Sequence, residues 1–104
     1  MAVVSREVHE GLQAQGEDEQ IAYAITTTPW GSTPSSVTVV VKDETNSFGV
    51  VTTSVTSGSA AVVGDVITTP IVKSLTAGHT YRVETKFTSG VNVFECYFRL
   101  RGER

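Results

Sequence analysis

Tyr81-Arg-Val-Glu-Thr-Lys-Phe-Thr-Ser-Gly-Val-Asn-Val-Phe-Glu-Cys-Tyr-Phe-Arg-Leu100 is the stretch that decides the fold class. Tyr81, Val83, Thr85 and Phe87 alternate with Arg82, Glu84, Lys86 and Thr88. Beyond Ser89-Gly90, Asn92, Phe94, Cys96, Phe98 and Leu100 alternate with Val91, Val93, Glu95, Tyr97 and Arg99. A period of two places one set on each face of a strand, and the Ser-Gly pair marks a turn, so the stretch predicts a hairpin. A turn centred on Ser89-Gly90 pairs Phe87 with Asn92, Thr85 with Phe94, Val83 with Cys96 and Tyr81 with Phe98. Each inward residue then meets an inward one, whereas a one-residue slip would set Arg82 or Glu84 against the phenylalanines.

The same alphabet extends outward. The 104 residues include 17 Val and 15 Thr against 3 Leu, and β-branched side chains favour a pleated sheet over a helix. Ile21, Tyr23, Ile25 and Thr27 form one heavy face, and Val37, Val39 and Val41 another. Phe48 to Val55 reads as a further strand, and Ala61-Val-Val-Gly-Asp-Val-Ile-Thr68 as a hairpin turning on Gly64-Asp65. About seven short strands separated by turns predict an all-β, antiparallel β-sandwich over residues 20–104.

Residues 1–19 are set apart as an extended acidic arm. They carry Glu7, Glu10, Glu17, Asp18 and Glu19 against Arg6, a balance of −4, while the remainder holds seven basic and six acidic groups. Val4, Val8 and Leu12 recur at helical spacing. Two readings stand open: a frayed terminus, or an arm that orders against a neighbouring subunit through those three residues. On the second, deleting residues 1–19 leaves a folded domain that no longer assembles.

Catalytic chemistry finds little material, and the chain reads as non-enzymatic. The histidines are His9, in the arm, and His79, in a turn expected to be solvated. The serines lack the context of a nucleophile elbow. Cys96 falls on an inward strand face, where a thiol is inert. Neither Asp43-Glu44 nor Glu17-Asp-Glu19 offers facing carboxylates or the oxygen spacing of a calcium loop. A net charge of −3 and three C-terminal arginines are too little for nucleic acid. No apolar run is long enough for a signal peptide or a membrane span. No cofactor, metal, nucleic acid or membrane is therefore expected. Trp30, between Pro29 and Gly31, is either an exposed anchor or sugar-stacking platform or a lid folded over one end of the domain.

Leu75-Thr-Ala-Gly-His-Thr-Tyr-Arg-Val83 resembles the tyrosine corner of immunoglobulin-like and fibronectin type III domains. In that resemblance Leu75 packs inward, Gly78 takes a special turn conformation and the Tyr81 hydroxyl ties to upstream backbone. Ala77 stands where Pro is frequent. Together with Thr27-Thr-Pro-Trp-Gly-Ser-Thr-Pro-Ser-Ser-Val37, Gly64-Asp-Val-Ile-Thr68 and Asn92-Val-Phe-Glu95, the stretch is similar to small immunoglobulin-like virion structural proteins of tailed bacteriophages and prophages. The resemblance implies a capsid decoration protein or a neck or tail-fibre adaptor, built in the host bacterial cytoplasm. It also implies a homo-oligomer or many copies per particle, binding other virion proteins through the arm. A carbohydrate- or host-surface-binding module centred on Trp30 is the alternative.

Overall fold

Ten strands appear in the computed structural model, which describes residues 7–104. In chain order they are β1 (Glu7–Gly16), β2 (Ala24–Thr26), β3 (Ser35–Asp43), β4 (Gly49–Val50), β5 (Thr56–Ser57), β6 (Ala61–Val63), β7 (Val66–Thr68), β8 (Ile71–Val72), β9 (Thr80–Ser89) and β10 (Asn92–Glu103). A 3-10 turn (Glu44–Asn46) and a short α-helical turn, α1 (Thr52–Val55), interrupt them. The chain is all-β. A five-stranded sheet runs β1-β10-β9-β3-β4, a three-stranded sheet β2-β7-β6, and a two-stranded ladder pairs β5 with β8. Ile25 and Ile67 from the smaller sheet pack in one buried cluster with Val41, Val83, Phe87, Cys96, Phe98 and Leu100 from the larger.

The arm is the largest departure from the sequence reading. Residues 7–16 are not separate from the domain; they form β1 and pair parallel with β10, so the main sheet is mixed rather than antiparallel. Gln15 explains the docking. It is buried, its Nε2 donates to the carbonyls of Val72 (2.8 Å) and Glu19 (2.9 Å), and its Oε1 accepts from the Tyr23 hydroxyl (2.7 Å). Nor do Val8 and Leu12 share a face. Glu7 pairs with Tyr97 but Leu12 with Arg99, an irregularity that reverses the alternation near Gly11, at φ +75°. Val8 turns to the core side, while Leu12 is half exposed. Val4 lies outside the described residues.

The β9–β10 hairpin forms with its turn one residue later than expected. Ser89 faces Asn92, leaving Gly90-Val91 as the turn. Gly90 takes φ +61° at the first turn position, where a primed turn requires it. Every pair thereby shifts by two, which preserves the faces while changing the partners. Phe87 meets Phe94, with ring centroids 5.8 Å apart, Val83 meets Phe98, and Tyr81 meets Leu100. The Gly64-Asp65 hairpin has the expected register, with Val63 opposite Val66.

The expected strand from Phe48 to Val55 is mostly not one. After β4 the chain leaves the sheet because hydroxyls replace ladder bonds. Thr52 Oγ1 accepts from the Val41 N–H (3.0 Å), and Thr56 Oγ1 donates to the Thr52 carbonyl (2.6 Å), closing the α1 turn. Val55 is thereby buried.

Candidate functional site

The loop after β2 is held from three sides. Thr27 donates to the Asp65 carbonyl through its N–H (2.8 Å) and its hydroxyl (3.2 Å), and Asp65 Oδ1 accepts from the Thr33 N–H (2.9 Å). The N–H groups of Trp30 and Gly31 both donate to the Thr27 carbonyl at 2.8 Å, curling the loop into a tight turn. Ser89 Oγ donates to the Ser32 carbonyl from the hairpin side. Gly31 lies so close to Ser89 and Phe94 that a Cβ there would stand 2.6 Å from the Ser89 hydroxyl. Trp30 is thus placed by backbone geometry. It packs half-buried against the core rather than standing free.

Beneath Trp30 an open cleft of about 380 Å³ separates β1 from β2. Val8, Ile25, Trp30 and Phe98 supply its apolar wall, and Gln13, Thr26 and Thr28 its polar rim. Tyr23 completes it, with its ring 5.1 Å from that of Phe98. Two residues singled out in the sequence, Val8 and Trp30, therefore line one space; Leu12 lies on the other face of the sheet. Tyr23 is the titratable group in this lining. Burial, then the nearby Glu19 carboxylate, pushes its hydroxyl up to about 12. It stays neutral at physiological pH.

Around this end the hairpin tips carry exposed apolar side chains. Val91 is 97% exposed, Val63 79% and Val93 58%, flanking the Trp30 loop on the 64–65 and 90–91 turns. No known family, curated protein or solved structure matches the chain.

At the opposite end, Leu75 is buried, Gly78 sits at φ +86°, and the buried Tyr81 hydroxyl accepts from the Thr76 N–H at 2.8 Å. Gly102 lies directly under this corner, where a Cβ would collide with the Thr76 carbonyl. His79 is not free in solvent. Its Nδ1 is 2.8 Å from Asp43 Oδ2, while Asp43 Oδ1 accepts from the N–H groups of Thr45 and Asn46. Arg99 makes a two-point pair with Glu44 (3.0 and 3.2 Å) on the outer sheet face, and the Arg82 guanidinium stacks 3.7 Å from the Tyr97 ring centroid. These contacts tie strands together. Cys96 is buried. Among the described residues no group of three or more His, Cys, Asp or Glu side chains could hold a metal ion.

Gln15, Tyr23 and Phe98 join this end of the molecule without a motif in the sequence that marks them as parts of a site. For Tyr23 and Phe98 the inward alternation was a usable signal. For Gln15, within a polar run, there was none.

Proposed function

We propose that this chain is a non-enzymatic accessory domain of a tailed-bacteriophage virion, a capsid decoration protein or a neck or tail adaptor that binds other virion subunits. The observation that carries a binding role is the apolar end: a cleft roofed by Trp30 and flanked by the exposed Val63, Val91 and Val93. An apolar cleft bordered by exposed apolar side chains is the kind of surface a partner covers. Further exposed apolar side chains, Phe48 and Val50, lie towards the opposite end. The two sheets packed on one core and the Tyr81 corner support an immunoglobulin-like sandwich as its frame.

The test is mass spectrometry of purified tailed-phage particles from a culture that carries the gene for this chain. The chain is expected in fixed proportion to the capsid or tail proteins, and a Val63→Ser, Val91→Ser, Val93→Ser variant is expected to fold but to be lost from particles. Absence of the wild-type chain from intact particles refutes the proposal. A second reading has its own support: the Trp30 and Tyr23 rings beside the hydroxyls of Thr26 and Thr28 suit a sugar ring. Trp30-dependent signal on a glycan array favours that reading.

A further inference from the structure

The cleft is bounded by the edges of two different sheets. β1 ends the five-stranded sheet and β2 ends the three-stranded one. On β2 the hydrogen-bonding direction is fixed by its pairing with β7. The Thr69 N–H donates to the Tyr23 carbonyl (2.8 Å), the Tyr23 N–H to Thr69 Oγ1 (3.0 Å), and the Thr27 N–H to the Asp65 carbonyl. Ile25, opposite Ile67, continues that set. Because the direction alternates along a strand, Ala24 and Thr26 turn their N–H and C=O groups outward. Both residues are exposed, both line the cleft, and among the described residues neither has a hydrogen-bond partner on that side.

A row of backbone donors and acceptors at two-residue spacing beside an apolar space is a specific chemical request. A lipid chain would fill the space and leave the row unmet. A sugar would meet some of the row without filling the space. An extended polypeptide does both, since its backbone repeats at the same spacing and alternate side chains point to one side. The charge nearby narrows the sequence further. Glu19 stands close enough to Tyr23 to help hold that hydroxyl neutral, and Glu17 and Asp18 precede it.

We propose that the cleft takes an extended segment of a partner protein, added as a strand beside β2 through the backbone of Ala24 and Thr26. A large apolar side chain of that segment fills the space between Val8, Trp30 and Phe98, and a basic side chain lies on the Glu19 side. This deepens the binding role proposed above and rests on it, naming strand addition as the mode of docking.

The experiment titrates the full, isotope-labelled chain with the blocked peptide acetyl-Thr-Leu-Thr-Leu-Thr-Lys-amide. Saturable shifts are expected at Ala24, Thr26 and the Trp30 indole, with amide exchange at Ala24 and Thr26 slowed about tenfold on saturation. The same peptide N-methylated at alternate amides cannot complete the ladder and is expected to bind at least about tenfold more weakly. Thr26→Pro removes an outward N–H at a position an edge strand tolerates; Val8→Arg places a charge in the apolar space without touching the ladder. Each is expected to lose peptide binding while keeping its unfolding transition, and if Thr26→Pro does not fold, Val8→Arg and the methylated peptide carry the test. No shift up to about 2 mM peptide, equal binding of the methylated peptide, or a β2-mediated dimer of the chain that excludes peptide overturns the inference. A chain that incorporates into particles but ignores the peptide defeats strand addition alone. One that binds the peptide but is missing from particles defeats the virion assignment alone.

Discussion

Gln15→Ala tests whether residues 7–16 belong to the fold. The substitution removes two donated hydrogen bonds and one accepted one, linking β1 to the Val72 and Glu19 carbonyls and to the Tyr23 hydroxyl. At about 1 kcal/mol net for each bond, the ceiling is about 3 kcal/mol. Two of the orphaned partners recover something. The Val72 carbonyl keeps the Ile21 N–H at 3.0 Å, and the exposed Glu19 can turn its carbonyl to water. Against that, the lost methylene and amide leave a gap beside Val72, adding about 1 kcal/mol. The expected cost is therefore about 2–4 kcal/mol, a large share of the stability of a domain this size.

Urea unfolding followed by Trp30 fluorescence measures it. The midpoint falls; an unchanged m-value means β1 remains docked in the native state, and a reduced one means it has detached before global unfolding. Gln15→Glu is the sharper companion. At neutral pH it keeps the shape but aims a carboxylate at two carbonyl oxygens, so it is expected to cost more than alanine and to recover as acid protonates it. If both variants unfold within about 0.5 kcal/mol of the wild type, the clamp is not holding β1. Deletion of residues 1–19, which the sequence suggested would spare the fold, removes this strand altogether and is expected to unfold the domain.

Three further outcomes follow from individual contacts. Thr85 is fully buried opposite Cys96 with no partner for its hydroxyl, so Thr85→Val is expected to stabilise the chain by about 1 kcal/mol in the same urea assay. Tyr81→Phe removes the bond to the Thr76 N–H and is expected to cost about 1 kcal/mol without altering particle incorporation; no loss would show that the corner is held by packing alone. The raised Tyr23 hydroxyl favours the neutral form in the folded state. Its contribution is fully present below pH 10 and is lost as the pH rises towards 12, by about 1 kcal/mol once its partial exposure is allowed for. The stability gap between wild type and Tyr23→Phe is accordingly expected to narrow between pH 10 and pH 12, and a gap independent of pH would show that Tyr23 is not desolvated.

What the sequence made legible was parity, and what it hid was register and polar partnership. Alternation assigned Tyr81, Val83, Phe87, Cys96, Phe98 and Leu100 to the inner face correctly, because burial depends on a period of two. The same property concealed the turn. Moving it from Ser89-Gly90 to Gly90-Val91 changes every partner by two and no face at all, so the inward pattern is equally satisfied by both. β1 was hidden for the opposite reason. Its irregularity near Gly11 breaks the alternation, leaving Val8 and Leu12 spaced like a helical pair. Its anchor is an amide whose three partners lie at residues 19, 23 and 72. No local pattern in Gln13-Ala-Gln15-Gly distinguishes a buried, fully bonded glutamine from a solvated one.

Those hidden polar contacts also decide where a site could form. Val8 and Gln13 make one wall of the cleft, and Tyr23 belongs to the opposite wall while donating to Gln15, which holds the first wall in place. The clamp that fixes β1 thus fixes the width of the cleft. It does so without placing a charge in it, because Gln15 is neutral and Tyr23 is kept protonated by its surroundings. A cleft so built has a defined shape, an apolar wall and, among the described residues, unmet backbone groups on one edge. Such a space gains by being filled. Loosening the clamp by Gln15→Ala should therefore weaken strand addition at β2 even though Gln15 does not line the cleft, and unaltered peptide affinity in that variant would mean that β1 contributes no wall to the site.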